Sequence, residues 1–243
     1  MSGYGSFSEF YDRLMGRVDY EARCDYLLAV MAHHGLSPKS LIDLGCGSGR
    51  MTRLLASKEV DMIGVDLSPE MLSVAMSETE CDSGILWVCQ DLRELDLYGT
   101  SNGAVSTYDC LNHLTEPGDL HRFFERLYYF LDPGGLLVFD LNTPYKHERV
   151  LGNNTFVYDT PDVYCVWQNQ TEGLTTHMTL DLFVPRGGNY ARTTEQIRER
   201  AYTKQEIEQA ACGKFTLLAV YDDMTFEQPK EQSQRLIYVM KKQ

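Results

Sequence analysis

The segment LIDLGCGSGR, residues 41–50, has the residue types and spacing that most clearly indicate chemistry at a bound ligand. A short apolar run leads into three alternate glycines, Gly45, Gly47 and Gly49. Glycine permits a sharp backbone turn and lets a ligand approach without meeting a Cβ atom, and the residues that follow can begin a helix. The pattern predicts that a nucleotide-like ligand binds where this strand ends.

The spacing of the glycines separates two classes of nucleotide site. A dinucleotide fingerprint, G-x-G-x-x-G, requires glycine where this chain has Arg50, so a nicotinamide oxidoreductase is disfavoured. Asp43 stands two residues before Gly45, where a buried strand would normally carry an apolar residue, and we expect its carboxylate to face the ligand. The arrangement D-x-G-x-G-x-G resembles motif I of the class I S-adenosylmethionine (SAM)-dependent methyltransferases.

Two later segments follow in the order and at the spacing that this resemblance implies. Residues 61–66 predict a second strand ending in Asp66, 21 residues after Gly45, where a carboxylate can bind both hydroxyls of a ribose. Residues 85–92 resemble a third strand that ends in Asp91, an acid that meets the adenine amino group in similar enzymes, beside a backbone donor at Leu92. These residues are therefore expected to define the adenosine end of the site.

Residues 105–114 resemble the fourth strand and the loop after it, which in the family faces the methionine part of SAM and the methyl acceptor. Each segment alone is also typical of an ordinary turn or a solvated cap, but their common order supports a SAM site. The resemblance covers most of residues 38–141. It implies SAM as cofactor, S-adenosylhomocysteine as product, and a cofactor site formed by Asp43, Gly45, Cys46, Gly47, Gly49, Asp66, Leu67, Met71, Asp91, Leu92 and Asp109.

Methyl transfer requires that the nucleophile, the methyl carbon and the sulfur be aligned and that water be excluded, so few side chains need to react covalently. Tyr11 is the first candidate for an aromatic lid on the positive sulfur, followed by Tyr20 and Tyr4, although such tyrosines also commonly pack within helices. We predict catalytic roles for Tyr11, Asn112 and His113. His113 can act as general base for an acceptor that loses a proton, and Asn112 can orient the acceptor or the cofactor; an exposed loop histidine is the plainer alternative.

Hydrophobic periodicity predicts the elements that must position these residues. Helical spacing runs through residues 7–31, with a break near Gly16, and through residues 120–131, where the sequence Asp-Pro-Gly-Gly ends the helix. Continuous apolar runs at residues 41–44 and 136–141 are typical of strands covered on both faces. They predict a parallel sheet between layers of helices.

After residue 150 the pattern changes to consecutive β-rich segments, which predict an antiparallel insertion. These segments are residues 156–158, 163–169, 175–184 and 190–202. A capping box from Thr203 to Glu206 then predicts a helix that ends before Gly213, and residues 215–226 and 235–241 predict a final hairpin of the main sheet. In similar methyltransferases such an insertion covers the acceptor pocket or forms a dimer contact, and the sequence leaves both roles open.

We therefore predict an α/β fold, namely a three-layer α/β/α, Rossmann-like, seven-stranded methyltransferase sheet with an antiparallel β insertion. Its parts are an N-terminal helical cap at residues 1–36, a SAM-binding α/β core at 37–150, the β insertion at 151–202, and a C-terminal helix and strand hairpin at 203–243. The whole-chain pattern resembles the bacterial YqeM-like branch of the superfamily. This likeness depends on residues 7–20, the loop at 109–114 and residues 200–203.

The composition bears on the methyl acceptor. The net charge is −13, and no sizeable cluster of lysine and arginine offers the basic surface that broad nucleic-acid binding needs. The loop at residues 109–112 lacks the Asn/Asp-Pro-Pro-aromatic signature of enzymes that methylate exocyclic amines of bases, and no Pro-Cys pair is present for cytosine C5 methylation. We predict a small-molecule acceptor. An RNA acceptor (tRNA or rRNA) and a non-catalytic regulatory or scaffold protein stay open as alternatives.

The seven cysteines show no C-x-x-C pair and no metal-ligand spacing, which predicts reduced packing residues and no metal site. The N-terminus lacks a basic region followed by an apolar run, and no apolar stretch has the length of a membrane span. These features predict a soluble, cytoplasmic protein without membrane contact, as a monomer or a homodimer.

Overall fold

The computed structural model describes residues 18–243. The helix predicted before Gly16, and the candidate lid residues Tyr4 and Tyr11, lie outside the described residues. The described part has helices α1 Tyr20–His33, α2 Arg50–Ala56, α3 Pro69–Ser77, α4 Asp119–Phe130 and α5 Lys204–Ala210. Short 3₁₀ turns at Leu92–Glu94 and Cys110–His113 and a π-helix at Lys146–Leu151 complete its helical elements.

Eleven strands of the described residues form two sheets. They are β1 Ser40–Leu44, β2 Asp61–Asp66, β3 Leu86–Cys89, β4 Ser101–Ser106, β5 Leu131–Asn142, β6 Thr155–Asp159, β7 Tyr164–Glu172, β8 Thr175–Arg186, β9 Asn189–Arg200, β10 Phe215–Asp222 and β11 Arg235–Lys242. The main sheet has the order β10-β11-β5-β4-β1-β2-β3, and the second sheet has the order β6-β7-β8-β9. The predicted seven-stranded sheet and antiparallel insertion are both confirmed.

Strands β1 to β5 run parallel to their neighbours among these five, whereas β11 is antiparallel to both β5 and β10. Because β1 pairs with β2 on one side and with β4 on the other, the loops that follow these three strands open at the same edge of the sheet. The predicted C-terminal hairpin is present as β10 and β11.

The core lies on both faces of the main sheet, as a three-layer fold requires. Leu41 of β1 belongs to the core that α1 and α2 share, whereas its neighbour Ile42 belongs to the core under α4 and α5. Both side chains are fully buried. The continuous apolar run of β1 therefore serves two helix layers rather than one.

Local sequence explains where two of the helices begin. Ser68 accepts a hydrogen bond from Met71 N at 3.2 Å, and Pro69 occupies the first turn of α3, where its missing N–H is not needed. Thr203 and Glu206 form the predicted capping box at the start of α5. These caps satisfy donors that would otherwise lack a partner at the helix ends.

The structure differs from the predicted boundaries at several elements. β5 begins at Leu131, directly after α4, because Leu131 pairs with Ser101 before a register shift. β3 ends at Cys89, earlier than predicted, because Asp91 caps the 3₁₀ turn that follows. The π-helix at Lys146–Leu151 was not predicted, and it joins β5 to the insertion.

The cysteines and the helix lengths bear on two further predictions. All seven cysteines are free thiols. Cys24 and Cys165 are buried, but Cys81, Cys89 and Cys212 are exposed, so the predicted packing role does not suit these last three. No helix within residues 18–243 is long and apolar enough to span a bilayer.

Gly49 is one of the glycines of the first turn on which stability should depend. It has φ +75°, and a Cβ atom there would lie 2.3 Å from Cη2 of Trp87. We expect Gly49→Ala to lower the free energy of unfolding by roughly 2–4 kcal/mol, through left-handed strain and overpacking. Gly47→Ala is the matched control, because its φ is +53° but no atom lies within 4 Å of the added Cβ. Urea unfolding of both variants measures the difference, and equal losses would contradict this packing role.

Candidate functional site

A cavity of about 420 Å³ opens at the carboxyl edge of the main sheet. Its walls come from the segments after β1, β2, β3 and β4, from Tyr20 of α1 and from β9 of the insertion. The lining residues that the sequence analysis predicted for cofactor binding or catalysis are Tyr20, Asp43, Gly45, Cys46, Gly47, Asp66, Leu67, Met71, Asp91, Leu92 and His113. Asp109, Asn112 and Gly49 do not line it.

The glycine turn is attached to β2 by its main chain. Gly45 N and Cys46 N donate to Val65 O at 2.7 and 3.0 Å. A Cβ atom at Gly45 would lie 2.0 Å from Sγ of Cys110, so the turn also packs closely against the loop after β4. The space beside Gly47 is open, which suits close approach of a ligand to the backbone.

Asp66 joins the two turns that face the cavity. Its Oδ2 accepts Gly47 N and its Oδ1 accepts Ser68 N, each at 2.8 Å. Burial raises the pKa of Asp66, while these backbone donors oppose the shift. Because each carboxylate oxygen has two lone pairs, both oxygens keep capacity for a further donor such as a hydroxyl group.

Asp43 is buried, with 1% of its surface exposed, directly beneath the glycine turn. Its Oδ2 accepts the Thr52 hydroxyl at 2.5 Å. Burial raises the pKa of Asp43 to about 7. The negative charge of Asp66 nearby adds to this shift, and the hydrogen bond from Thr52 opposes it. Asp43 therefore changes its charge near neutral pH at the base of the cavity.

Asp91 is held by Arg93, an arginine that was not predicted as a site residue. Arg93 donates from Nε and from its backbone N to Asp91 Oδ1, at 2.8 and 2.9 Å, and its guanidinium also reaches Asp119 at 3.1 Å. The Arg93 side chain holds the pKa of Asp91 below its usual range. The apolar surface beside this pair comes from Leu92 and from the exposed Leu67.

Tyr20 also lines the cavity, and it lies between a cation and a second aromatic ring. The Arg50 guanidinium lies 4.4 Å from its ring centroid, and the Tyr108 ring centroid lies 4.9 Å away. Tyr20 is 5% exposed, so its orientation is fixed by packing. Neither Arg50 nor Tyr108 was predicted as a site residue.

Asn112 is fully buried outside the cavity lining. Its amide nitrogen donates to Arg200 O at 2.8 Å and to Asn142 O at 3.3 Å, and its oxygen accepts Asn142 N at 2.9 Å. Both amide hydrogens are therefore engaged by main chain of β5 and β9. This placement does not support the predicted catalytic role and assigns Asn112 to holding the insertion against the core.

Asp109 is turned away from the cavity by a left-handed backbone at φ +58°. Its carboxylate pairs with Arg235 of β11, and its N–H donates to Asp140 Oδ1 at 2.7 Å. Burial alone would raise the pKa of Asp109, but Arg235 beside it holds that pKa below its usual range. Three of the four predicted strand-end acids thus border the cavity, and the placement of Asp109 does not support its predicted contact with the cofactor.

His113 lines the cavity on the side of the insertion. Its Nε2 lies 4.0 Å from Oε1 of Glu199, a residue of β9 that sequence spacing could not connect to it. Burial lowers the pKa of His113, which favours the neutral imidazole, while the negative charge of Asp109 opposes the shift. Burial also raises the pKa of Glu199, and the negative charge of Asp109 adds to that shift.

The insertion contributes Gln196, Ile197 and Arg198 of β9 to the cavity wall. Arg198 also pairs with Glu116, which lies between the loop after β4 and α4. No local pattern predicts these contacts, because they depend on how the second sheet docks onto the first. Of the two roles left open for the insertion, covering a pocket fits this arrangement.

Possible metal ligands come together at one place in the described residues. Ligand atoms of Asp109, His113 and Glu199 all lie within 4.8 Å of one another. Arg235 already pairs with Asp109, and the positive charge of Lys146 acts on both acids. Because this chain supplies its own cations here, the charge balance gives no support to a metal ion.

Comparison with known proteins places this geometry in a family. Residues 41–135 match the model of the methyltransferase domain family. The chain is 31% identical to the Bacillus subtilis (strain 168) protein named "Putative methyltransferase YqeM", over 98% of this chain and 97% of that protein. The chain belongs to the class I SAM-dependent methyltransferases, in the YqeM-like branch.

Solved structures agree with this assignment. A SAM-dependent methyltransferase from Clostridium acetobutylicum ATCC 824 is 32% identical to this enzyme, with a TM-score of 0.88 over 98% of each chain. The SAM-bound aminopentose methyltransferase CalS10 from Micromonospora echinaspora shares the fold at 19% identity, with a TM-score of 0.78 over 99% of this chain and 98% of that one. The resemblance to SAM-dependent methyltransferases seen in the sequence is confirmed.

The buried carboxyl group of Asp43 should make stability depend on pH. Its folded pKa of about 7 exceeds the unfolded value of about 4, so the native state retains a proton that the unfolded state releases. Raising the pH through this window therefore destabilises the wild-type enzyme. Asp43→Asn cannot ionise at this position, so it should not lose stability in this pH range. We expect its free energy of unfolding, relative to that of wild type, to increase by on the order of 3 kcal/mol from about pH 4 to pH 7.

Urea unfolding of the ligand-free enzyme at several pH values measures this trend. Asp61→Asn is the control, because Asp61 is an exposed acid at the start of the same β2 strand that ends in Asp66. Parallel stability profiles for wild type and Asp43→Asn would contradict the buried-carboxyl account.

Proposed function

We propose that this enzyme transfers the methyl group of SAM to a small molecule bound between His113 and the β insertion. The arrangement of the cavity walls carries the proposal, because strand ends of the core form one side and β9 closes the other. A cavity of about 420 Å³ lies within the usual range for small-ligand sites. The net charge of −13 favours a small acceptor over RNA, whose phosphates it would repel.

In this proposal the adenosine part of SAM lies along the carboxyl edge of the sheet. Asp66 accepts hydrogen bonds from the ribose hydroxyls, for which both of its oxygens keep lone pairs. Leu67 and Leu92 offer apolar surface to the adenine beside the Asp91 and Arg93 pair. The open side of Gly47 lets the ligand reach the main chain of the first turn.

Bound SAM supplies a methyl group already activated on a positive sulfur. The side chains of the enzyme then hold the acceptor in line with that group and exclude water. His113 takes the proton from an amine or hydroxyl acceptor as the new bond to the methyl carbon forms. Glu199, 4.0 Å from the His113 imidazole, favours the protonated ring whenever its own carboxyl group is ionised. S-adenosylhomocysteine leaves as the second product.

The ribose assignment predicts the effect of replacing Asp66. Isothermal titration calorimetry with SAM should show one site per chain in the wild-type enzyme. We expect Asp66→Ala to weaken SAM binding by at least about tenfold, because it removes hydrogen bonds to a charged group. Asp61→Ala, at the opposite end of β2, should bind like wild type. Unchanged affinity in a folded Asp66→Ala enzyme would contradict the assignment.

The acceptor class can be tested without knowing the acceptor. Wild-type enzyme and a His113→Ala variant are incubated with methyl-labelled SAM and with cell extract separated into small metabolites, protein and RNA. We expect wild-type enzyme to label the small-metabolite fraction and the variant to label it at least about tenfold less, as is typical when a general base is lost. Label in the RNA fraction would contradict the small-molecule proposal and indicate an RNA acceptor. No label in any fraction would favour a non-catalytic role.

A further inference from the structure

A buried carboxyl group lies directly behind His113, outside the cavity lining. Glu199 is 5% exposed, and its Oε1 lies 4.0 Å from His113 Nε2. Its Oε2 lies 3.7 Å from Nε2 of His147, an imidazole that is 1% exposed and that the proposed function does not use. The carboxyl group of Glu199 thus stands between one imidazole that lines the cavity and one that is buried beneath the insertion.

The π-helix at Lys146–Leu151 places this second imidazole. Helices of this kind are rare, and they occur frequently at functional sites. His147 N donates to Thr143 O at 3.1 Å, and its carbonyl oxygen accepts Gly152 N at 2.8 Å. The main chain on both sides of His147 is therefore held, and the ring has a defined position under β9.

A row of hydrogen bonds assigns the proton of the His147 ring. Its Nδ1 lies 2.9 Å from the Thr176 hydroxyl, which lies 2.9 Å from the Thr171 hydroxyl, and Thr171 donates to a carbonyl oxygen, Gly152 O, at 2.8 Å. Because a carbonyl oxygen can only accept and each hydroxyl has one hydrogen, all three contacts are kept when Nδ1 carries the N–H. Burial lowers the pKa of His147 to about 4, so the neutral ring has this single N–H and a lone pair on Nε2.

The Nε2 lone pair of His147 lacks a partner. Within residues 18–243 this buried nitrogen has no hydrogen bond, and an unpaired buried acceptor is costly. Glu199 is 3.7 Å away, but an ionised carboxylate has no hydrogen to donate, whereas a protonated carboxyl group has an O–H. The surroundings of Glu199 are therefore complementary to its protonated form.

The charged groups around Glu199 also favour a bound proton. Burial raises the pKa of Glu199 to about 8, and the negative charge of Asp109 adds to this shift. A hydrogen bond from Asn142 Nδ2 at 3.3 Å opposes it, as do the positive charges of Lys146 and Arg235. The carboxylate is thus a stronger proton acceptor than an exposed glutamate.

His113 differs from Glu199 in the direction that proton transfer needs. Burial lowers the pKa of His113, while the negative charges of Asp109 and Asp66 oppose the shift. A hydrogen bond with the main chain of Arg198 opposes it as well. A proton on the His113 ring therefore moves to an ionised Glu199 with a gain in free energy. The separation of 4.0 Å suits this step, because catalytic hydrogen bonds are often long before substrate binds and shorten in the complex.

We propose that Glu199 receives the proton that His113 removes from the acceptor, and that His147 Nε2 then accepts a hydrogen bond from the resulting carboxyl group. This inference rests on the proposed function, since it adds a second proton transfer to the same reaction. Both residues act through His113 and are positioning residues for it.

The step balances as follows for an amine or hydroxyl acceptor. The electron pair of the acceptor forms the bond to the methyl carbon, and the pair of the carbon–sulfur bond stays on sulfur. The proton passes from the acceptor to His113 Nε2 and from there to Glu199 Oε1. A half-turn of the carboxyl group brings the new O–H to His147 Nε2. After the methylated product leaves, the proton returns through His113 to solvent.

The pH dependence of turnover tests the proton transfer. Label transfer from methyl-labelled SAM to the small-metabolite fraction is measured from about pH 6 to about pH 10 for wild type, Glu199→Gln and Glu172→Gln. We expect the wild-type rate to rise with pH and to level off above about pH 8, where Glu199 is ionised before each cycle.

Glu199→Gln keeps the size of the side chain but cannot ionise. We expect it to be at least about tenfold slower than wild type in the alkaline range and to lack the rise near pH 8, while its affinity for S-adenosylhomocysteine stays within about twofold of wild type. Glu172→Gln, which changes an exposed glutamate at the end of β7, is the control and should match wild type in both measurements.

The His147 contact can be tested by ¹⁵N NMR without any acceptor. The signals of the His147 ring are identified by their loss in His147→Gln. We expect wild type at neutral pH to carry the N–H on Nδ1, and the chemical shift of Nε2 to change as the pH passes about 8 and Glu199 loses its O–H. This change should be absent in Glu199→Gln.

The outcomes separate this inference from the proposed function. A wild-type rate and pH profile in Glu199→Gln, or a slower rate accompanied by weaker S-adenosylhomocysteine binding, would overturn the proton transfer while leaving the SAM site and His113 in place. An N–H on Nε2 of His147, or an Nε2 signal that does not change near pH 8, would overturn the His147 contact. If wild-type enzyme labels no fraction, the proposed function fails and this step fails with it.

Discussion

The position of β1 between two parallel neighbours is the constraint on which the site depends. β2 and β4 pair with β1 in parallel, so the segments after all three strands meet at one edge. Hydrogen bonds then link these segments directly, because Gly47 N donates to the Asp66 carboxylate and Gly45 N donates to Val65 O. The ligand-facing surface is therefore made chiefly of turns whose positions the sheet determines. Side chains such as Asp66 hold the turns together and remain available to a ligand.

A second group of interactions is a network of ion pairs beside the loop after β4. Arg235 pairs with Asp109 and Asp140, and Arg23 pairs with Asp223 and approaches Asp140 at 3.7 Å. These residues come from α1, the loop after β4, β5 and the C-terminal hairpin. Buried charges of this kind are costly unless each is paired, so the cluster constrains how those elements can pack. It also sets the left-handed turn that presents Tyr108 to the cavity.

The sequence allowed the fold to be predicted, and also the position of three acids at one edge of the sheet, because both depend on local patterns. That this edge binds the adenosine part of SAM stays a proposal. Asp43, Asp66 and Asp91 were located by counting from strand ends, and all three border the cavity. Two residues of the loop after β4, Asp109 and Asn112, do not line the cavity. Asp109 occupies the expected strand-end position, but Arg235, 126 residues later in the chain, draws its side chain away. Asn112 was read as a polar group beside the ligand, whereas its amide binds main chain of β5 and β9.

Other site residues could not be predicted because they depend on contacts between sheets. Glu199 and Gln196 belong to an alternating strand whose pattern does not say which face meets the core. Arg93 follows Asp91 by two residues, and only the fold of the 3₁₀ turn shows that their side chains pair. Arg50 was noted only as a departure from another motif. Its partner ring comes from α1, 30 residues earlier in the chain.

The most direct test of the account is a crystal structure of the enzyme with S-adenosylhomocysteine. We expect the ribose hydroxyls within about 3.2 Å of the Asp66 carboxylate, and the adenine against Leu92 at the carboxyl edge of the sheet. Ligand density at any other place, or a ribose that faces away from Asp66, would contradict the proposal that the turns after β1 and β2 form the cofactor site.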